Sequence, residues 1–373
     1  MRILMTTDTV GGVWNFTCEL AQGLLAGGAG VCLGSLGRSP DVAQRRWASE
    51  RKREWGASFH YEPLDAPLEW MEENDCAYSG PAPSLLQLIH EFRVDLLHSS
   101  QFCFGALPVG IPKIVTAHSD VYSWAECCRG GILEDSSWLR RYTKMVARGL
   151  AAADWVVTPT RWMADALSRN FALPRPPVVL ANGRSLPATG TALPRRLQAV
   201  TAGRLWDEAK NISLLAEIHA PLPILVAGEA GLGRSSTAAS LGDAISLGVL
   251  SPAALLDLFR QSAVYICTSV YEPFGLAPLE AGLSGCAVLA SDIPSLREVW
   301  RSGALYFQDA ASLAELLQKL CGQPRDLAAA QLRSACRARR FPAERMVCGY
   351  RRLFEQALFR GLPALREQAI YAT

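Results

Sequence analysis

What most constrains this chain is an alternation of short apolar runs, each of strand length, with amphipathic stretches of helix length. In the first half the runs are RILMTT, VDLLHSS, KIVTAHS, WVVTPT and PVVLANG, with one helix expected near Asn15 to Ala26 and a long one ending near Ala153. In the second half they are LQAVTAGRL, PILVAGE, AVYICTS and AVLASD, with helices expected near Leu214, Ala253, Leu279 and Leu313. Strands separated by helices build parallel sheets, because a parallel pair needs a crossover connection. Between the halves, GRSLPATGTALPRR at 183–196 has the Pro, Gly and polar content of a linker. The expectation is α/β throughout: a domain over 1–184, a linker over 185–196 and a second domain over 197–345.

Composition agrees with two buried cores. The chain has 373 residues, 50% hydrophobic and 19% charged, which excludes a disordered tail protein. A net charge of +2 gives no electrostatic reason to expect nucleic acid as a partner. The eleven cysteines include no C-x-x-C pair, and the five histidines have no zinc spacing. The cysteines therefore read as buried free thiols of a reducing compartment, and the cytoplasm is the expected location. The first residues turn polar at Thr6, and no run approaches the ~20 apolar residues of a membrane span, so neither export nor a spanning segment is expected.

The string AVYICTSVYEPFGLAPLEAGLSG carries the most chemistry. A strand ends near Ser269 and a helix starts near Leu276, with Pro278 tolerated in its first turn. The backbone amides of Phe274, Gly275 and Leu276 then face an anion, and Gly275 removes the side chain that would block its approach. Glu272 and Glu280 flank the turn, where carboxylates accept hydrogen bonds from vicinal hydroxyls. Taken singly, each glutamate reads as a turn residue or a solvated helix position.

In TAGRLWDEAKN a strand ending near Gly203 delivers Arg204 and, six residues on, Lys210 at an expected helix start; two cations so placed suit a diphosphate. TVGGVWNFTCEL puts Gly11, Gly12 and Val13 between the first strand and first helix, without the G-x-G-x-x-G of a dinucleotide site. KIVTAHSD leaves His118 at a strand end, a position more often structural than catalytic.

Together these strings resemble the retaining GT-B glycosyltransferases of family four, or group 1. EPFGL with a second glutamate eight positions after the first is similar to that family's E-x(7)-E signature. GRLWDEAKN is similar to its G-R-x-x-x-x-K-(G/N) region, and GGV to its glycine loop. His118 matches a strand-end T-x-H-(D) histidine, although Ser119 here separates it from Asp120. Asn182 and Gly183 resemble its strand-end I-x-N-G, and Leu247 and Gly248 its L-G-x-(V/L) element, preceded here by an atypical GEAGLGRSSTAAS.

The resemblance implies two Rossmann-like domains facing across a cleft, with a last helix, about 346–373, crossing back to the first domain. It implies that Glu272 holds donor-sugar hydroxyls, Glu280 the ribose, and Arg204 and Lys210 the donor phosphates. Gly11, Gly12 and Val13 lie against the donor phosphates or the acceptor, His118 binds the donor sugar, and Leu247 and Gly248 border the base. The implied reaction is retaining hexosyl transfer from a UDP- or GDP-linked sugar to a glycan, lipid-linked or small-molecule acceptor. No cofactor is expected, and with no D-x-D pair no metal either. A sugar-nucleotide epimerase, a phosphorylase and a non-catalytic sugar-nucleotide binder are the rival readings. One further segment, RRWASERKREW at 45–55, reads as a solvated helix, with peripheral contact at the inner membrane face as the alternative.

Overall fold

The computed structural model describes residues 1–71, 74–187, 194–229 and 241–361. The chain divides into two compact units. The first holds Met1–Ser123, Ile132–Gly183 and the described residues from Ala343 onward; the second holds Trp124–Gly131 and Arg184–Pro342. Most of the GEAGLGRSSTAAS stretch, the linker residues 188–193 and the chain after 361 lie outside the described residues.

The first unit is built on strands β1 (Arg2–Asp8), β2 (Gly30–Leu36), β3 (Phe59–Pro63), β4 (Leu96–Ser99), β5 (Lys113–Thr116), β6 (Trp155–Thr158) and β7 (Val178–Val179). They form one parallel sheet in the order β3-β2-β1-β4-β5-β6-β7. Ile3, Leu4 and Met5 of β1 are fully buried, as strands are when helices cover both faces of a parallel sheet. Those helices include α1 (Gly12–Ala26), α2 (Val42–Trp55), α3 (Ala82–Glu91), α5 (Ser137–Ala152) and α6 (Arg161–Asn170); α4 (Val121–Arg129) starts in this unit, and from Trp124 on its residues belong to the second. After β3 the chain returns to the other side of β1, and the carboxyl ends of β1 and β4 flank the point where the order reverses. Loops diverge at such a point and leave room for a ligand.

The second unit repeats the plan with β8 (Arg196–Ala202), β9 (Ile224–Ala227), β10 (Ile245–Gly248), β11 (Ser262–Cys267), β12 (Ala287–Ser291) and β13 (Leu305–Phe307). Their parallel order is β10-β9-β8-β11-β12-β13, reversing between β8 and β11. Around them pack α7 (Pro252–Gln261), α8 (Leu276–Leu283), α9 (Pro294–Trp300), α10 (Ala310–Gly322) and α11 (Pro324–Ala338). The last described helix, α12 (Ala343–Gly361), belongs to the first unit and crosses α1 so closely that a Cβ on Gly23 would lie 2.4 Å from Val347 Cγ2.

Three local expectations are corrected. The helix near Leu214 is instead a 3-10 segment, Ile212–Glu217, entered through Asn211 in the left-handed region at φ 46°. Lys210 ends a separate 3-10 turn, Glu208–Lys210, closed by the Asp207 side chain accepting from Ala209 N, rather than starting an α-helix. PVVLANG yields only the two-residue β7.

The basic stretch 45–55 is helical within α2, capped by a reciprocal Asp41–Gln44 pair. Trp47 turns inward, its ring 5.8 Å from both Trp14 and Phe59, and Arg46 and Arg51 pair with Glu50 and Glu54. Trp47 is thus a packing residue and not an outward aromatic anchor. All eleven cysteines are free; five are buried and four are exposed, so burial is less general than their apolar settings imply. Among the described residues no helix is long and apolar enough to cross a membrane.

Candidate functional site

In the second unit the sequence-predicted residues gather where the sheet order reverses. β8 ends at Ala202 and its neighbour β11 at Cys267, so the loops that follow them meet. Val270 N donates to Ala209 O at 2.9 Å and Thr268 Oγ1 to Lys210 O at 2.6 Å, fastening the Lys210 turn to the loop after β11. That fastening sets Lys210 Nζ 2.5 Å from Glu272 Oε2, with both side chains largely buried. Burial works against the Lys210 charge, but Glu272 beside it prevails, and the ammonium is held above its ordinary value.

Gly275 caps α8 at φ 90°, a left-handed conformation that favours glycine, and no side chain caps the helix. A Cβ there would lie 2.7 Å from Pro278 Cγ and 3.3 Å from Glu272 Cγ, so the turn packs Glu272 beside the helix mouth. Leu276 opens α8, and Ala277 of its first turn shares with Lys210, Glu272 and Thr268 a polar cavity of about 10 Å³, room for about one water. The Phe274 side chain is buried, its ring edge-on to Phe341 at 5.5 Å, so what it offers a ligand is backbone.

Five residues separate Arg204 from Lys210, one more than in the family string. Within that loop Arg204 Nη2 lies 2.5 Å from Asp207 Oδ2, while Arg204 Nε is buried with no partner among the described residues. Burial raises the Asp207 carboxyl, but Arg204 and then Lys210 bring it below its ordinary value. Asp207 also faces Trp124 Nε1 at 3.4 Å, and its neighbour Glu208 takes two bonds from Arg129, at 2.6 and 3.0 Å. Segment 124–131 thus braces this loop. Sequence reasoning missed Asp207, Trp124 and Arg129: an acidic residue inside a basic motif is the one local signal, and nothing near Trp124 marks a partner some eighty positions away.

Glu280 is no solvated helix position. It is 6% exposed, and Arg184 Nε donates to its Oε1 at 2.7 Å. Leu247 and Gly248 sit at the carboxyl end of edge strand β10, two strands from the Arg204 loop; Leu247 is 36% exposed and Gly248 has φ 66°.

The remaining predicted residues lie in the first unit, again at a strand-order reversal. Gly11, at φ 93°, caps α1, Gly12 opens it and Val13 follows, all just past β1. His118 follows β5, with Nε2 3.4 Å from Ser100 Oγ and its ring 4.5 Å from that of Phe16 on α1, which links it to the glycine turn. Desolvation pushes His118 down to about 4, leaving a neutral imidazole at pH 7. Asp120 is buried and structural: its carboxylate accepts from Tyr122 N, Ser123 N, Ser123 Oγ and Asn170 Nδ2 at the start of α4. Asn182 is buried, and Gly183 N donates to Met346 Sδ on α12. Among the described residues no cluster of His, Cys, Asp and Glu is arranged to hold a metal ion.

Two family models match the chain: Glycosyltransferase Family 4 over residues 10–186 and Glycosyl transferases group 1 over residues 200–338. The alpha-maltose-1-phosphate synthase of Mycolicibacterium smegmatis is 28% identical over 263 residues, 59% of this chain and 66% of that protein. The GDP-mannose:cellobiosyl-diphosphopolyprenol alpha-mannosyltransferase of Xanthomonas oryzae is 27% identical over 238 residues, 57% of this chain and 59% of that one. The matches therefore span 66% or less of these relatives' lengths.

Among solved structures, sucrose-phosphate synthase from Thermosynechococcus elongatus superposes with a TM-score of 0.76 at 20% identity, covering 97% of this chain and 100% of that one. Anabaena HepE, solved with UDP and glucose, gives 0.72 at 16% identity over 95% and 99%. At such identities the likeness is one of fold, the GT-B pairing of two Rossmann-like domains. With both models matching in sequence order and the signature strings meeting around Lys210 and Glu272, the chain belongs to the family 4, group 1 glycosyltransferases.

Proposed function

We propose that this protein transfers a hexose from a nucleoside-diphosphate sugar to an acceptor, with retention at the anomeric carbon and without a metal ion. The observation that carries this reading is Lys210 Nζ at 2.5 Å from Glu272 Oε2, beside a helix mouth that no side chain caps. A cation, a carboxylate and unpaired-by-side-chain amides at one point are what a sugar diphosphate needs: charge for the phosphates and an acceptor for the sugar hydroxyls. The buried Arg204 Nε adds a charged donor whose missing partner a phosphate oxygen would supply.

As the glycosidic bond breaks, negative charge builds on the leaving diphosphate. Arg204, Lys210 and the amides around Gly275 stabilise it, the electrostatic work a divalent ion does elsewhere. In the retaining reaction the acceptor hydroxyl attacks the face the diphosphate leaves, forming the new C–O bond as the old one breaks. Its proton passes to a leaving-phosphate oxygen. His118, neutral at pH 7, contributes hydrogen bonding to the donor sugar rather than charge. Retention agrees with the alpha-mannosyl transfer named for the Xanthomonas enzyme. A UDP- or GDP-linked donor agrees with the UDP bound to HepE and the GDP-mannose named for the Xanthomonas enzyme.

The test is turnover in Lys210→Ala and Glu272→Ala, with circular dichroism to verify the fold. Each substitution should lower kcat by roughly 10²–10³, the range for loss of one group that stabilises transition-state charge. Full activity in both variants would refute the reading.

A further inference from the structure

Arg184 lies outside every string that the family resemblance uses, yet its side chain is paired directly with Glu280. It is the first residue of the second unit after the chain leaves the first, and its backbone is pinned there by Arg184 N donating to Phe341 O at 3.0 Å. From that fixed point its Nε reaches Glu280 Oε1 at 2.7 Å, with side chains only 19% and 8% exposed. Phe341, its backbone partner, sets its ring edge-on to Phe274 at 5.5 Å and carries the Arg337 guanidinium at 4.9 Å. One pinned backbone pair thus supports both Glu280 and Phe274.

The chemistry of Glu280 requires such a support. It sits mid-helix between buried Leu279 and Ala281, where a carboxylate without a cation is costly to keep ionised. A neutral carboxyl is the weaker acceptor for a hydroxyl, and a carboxylate that swings between rotamers pays entropy on each binding event. Arg184 sets a charged, planar donor on Glu280 Oε1 and so fixes how the carboxylate is aimed.

We propose that Arg184 is a positioning residue for nucleotide recognition: it holds Glu280 in the orientation that reads the ribose hydroxyls of a nucleoside diphosphate. This rests on Glu280 being the ribose ligand, and the experiment separates the two claims.

Binding of UDP and GDP, each beside its 2′-deoxy and 3′-deoxy counterparts, is measured by calorimetry on the full chain. The wild type should prefer the ribonucleotide by roughly tenfold or more, the scale of one charge-assisted hydrogen bond. Arg184→Ala and Arg184→Gln should bring that preference to within about threefold while diphosphate binding persists, and Arg184→Lys should restore part of it. The Gln variant carries the test if the Ala variant does not fold. A general loss of structure would weaken ribo and deoxy forms alike, so the ratio reports positioning and not stability. Should Arg184→Gln keep the full preference while Glu280→Gln loses it, Glu280 reads the ribose unaided and the proposal fails. If Glu280→Gln also keeps the preference, or the wild type has none, the ribose assignment itself is wrong.

Discussion

At the scale of single residues, buried His98 and half-buried His118 make stability depend on pH in a defined direction. His98 is fully buried on β4, with Nε2 2.8 Å from Thr116 Oγ1 and Nδ1 without a partner among the described residues. A buried N–H left unpaired is rarer than an unpaired lone pair, so the proton belongs on Nε2, donating to Thr116. Desolvation, then the neighbouring His118, push His98 down to about 3. With both histidines lowered from 6.5, the unfolded chain takes up protons first as pH falls. Their contribution is therefore intact above about 6.5 and lost progressively toward 4 and below. Glu69 acts in the opposite sense: burial raises its carboxyl to about 7, so its contribution is full below 4.5 and lost as pH rises through 7. Comparing His98→Gln with the wild type by urea unfolding between pH 4.5 and 7.5 isolates the histidine. The variant should lose stability with falling pH less steeply, by up to about 1.4 kcal/mol per pH unit, one proton's worth. Identical slopes would show that His98 is not held neutral.

Among the elements, the crossing of α1 and α12 depends on one missing side chain. With Val347 Cγ2 2.4 Å from where a Cβ on Gly23 would stand, Gly23→Ala should push the helices apart, at a cost of about 1–3 kcal/mol. Val347→Ala in the same chain should recover part of that loss, and a double-mutant cycle in denaturant measures the coupling. Additive effects would mean that the helices do not meet at this pair. The same scale shows how far sequence pattern reaches. Elements with strong apolar runs, such as RILMTT in β1 and AVYICTS in β11, stand where the alternation puts them. GVCLGSL and FHYEP, which become β2 and β3, were not marked, because glycines or polar residues interrupt them and their burial comes from neighbours in the sheet. The segment near Leu214 has helical composition, but it is entered through left-handed Asn211 and followed by Pro221 and Pro223, and between them it takes only 3-10 turns.

For the whole molecule, donor binding should appear as stability. A ligand that binds only the native chain adds about 2.7 kcal/mol at one hundred times its Kd, so one of UDP, GDP, ADP and dTDP should raise Tm clearly above the others. Lys210→Ala should abolish that shift; no response to any of the four would count against a nucleoside-diphosphate donor. Turnover should survive EDTA, and complete loss on chelation, restored by Mg²⁺, would overturn the metal-free reading.

What the sequence determined by itself is local: parallel strands with crossover helices, a helix start behind Gly275, and family strings at Arg204, Lys210 and EPFGL. These follow from side-chain periodicity, glycine conformation and capping, all set within a few residues. The partners were decided by tertiary structure alone. Arg184 meets Glu280 across 96 residues from a backbone held by Phe341, and Lys210 meets Glu272 across 62 because the sheet sets β8 beside β11. That order is chosen by packing crossover helices over a whole unit, and no window of sequence contains it. Arg129 on Glu208 belongs to the same class, charges that look solvated along the chain and become paired only when distant segments are brought together, whereas Asp207 on Arg204 is a pair made within one loop.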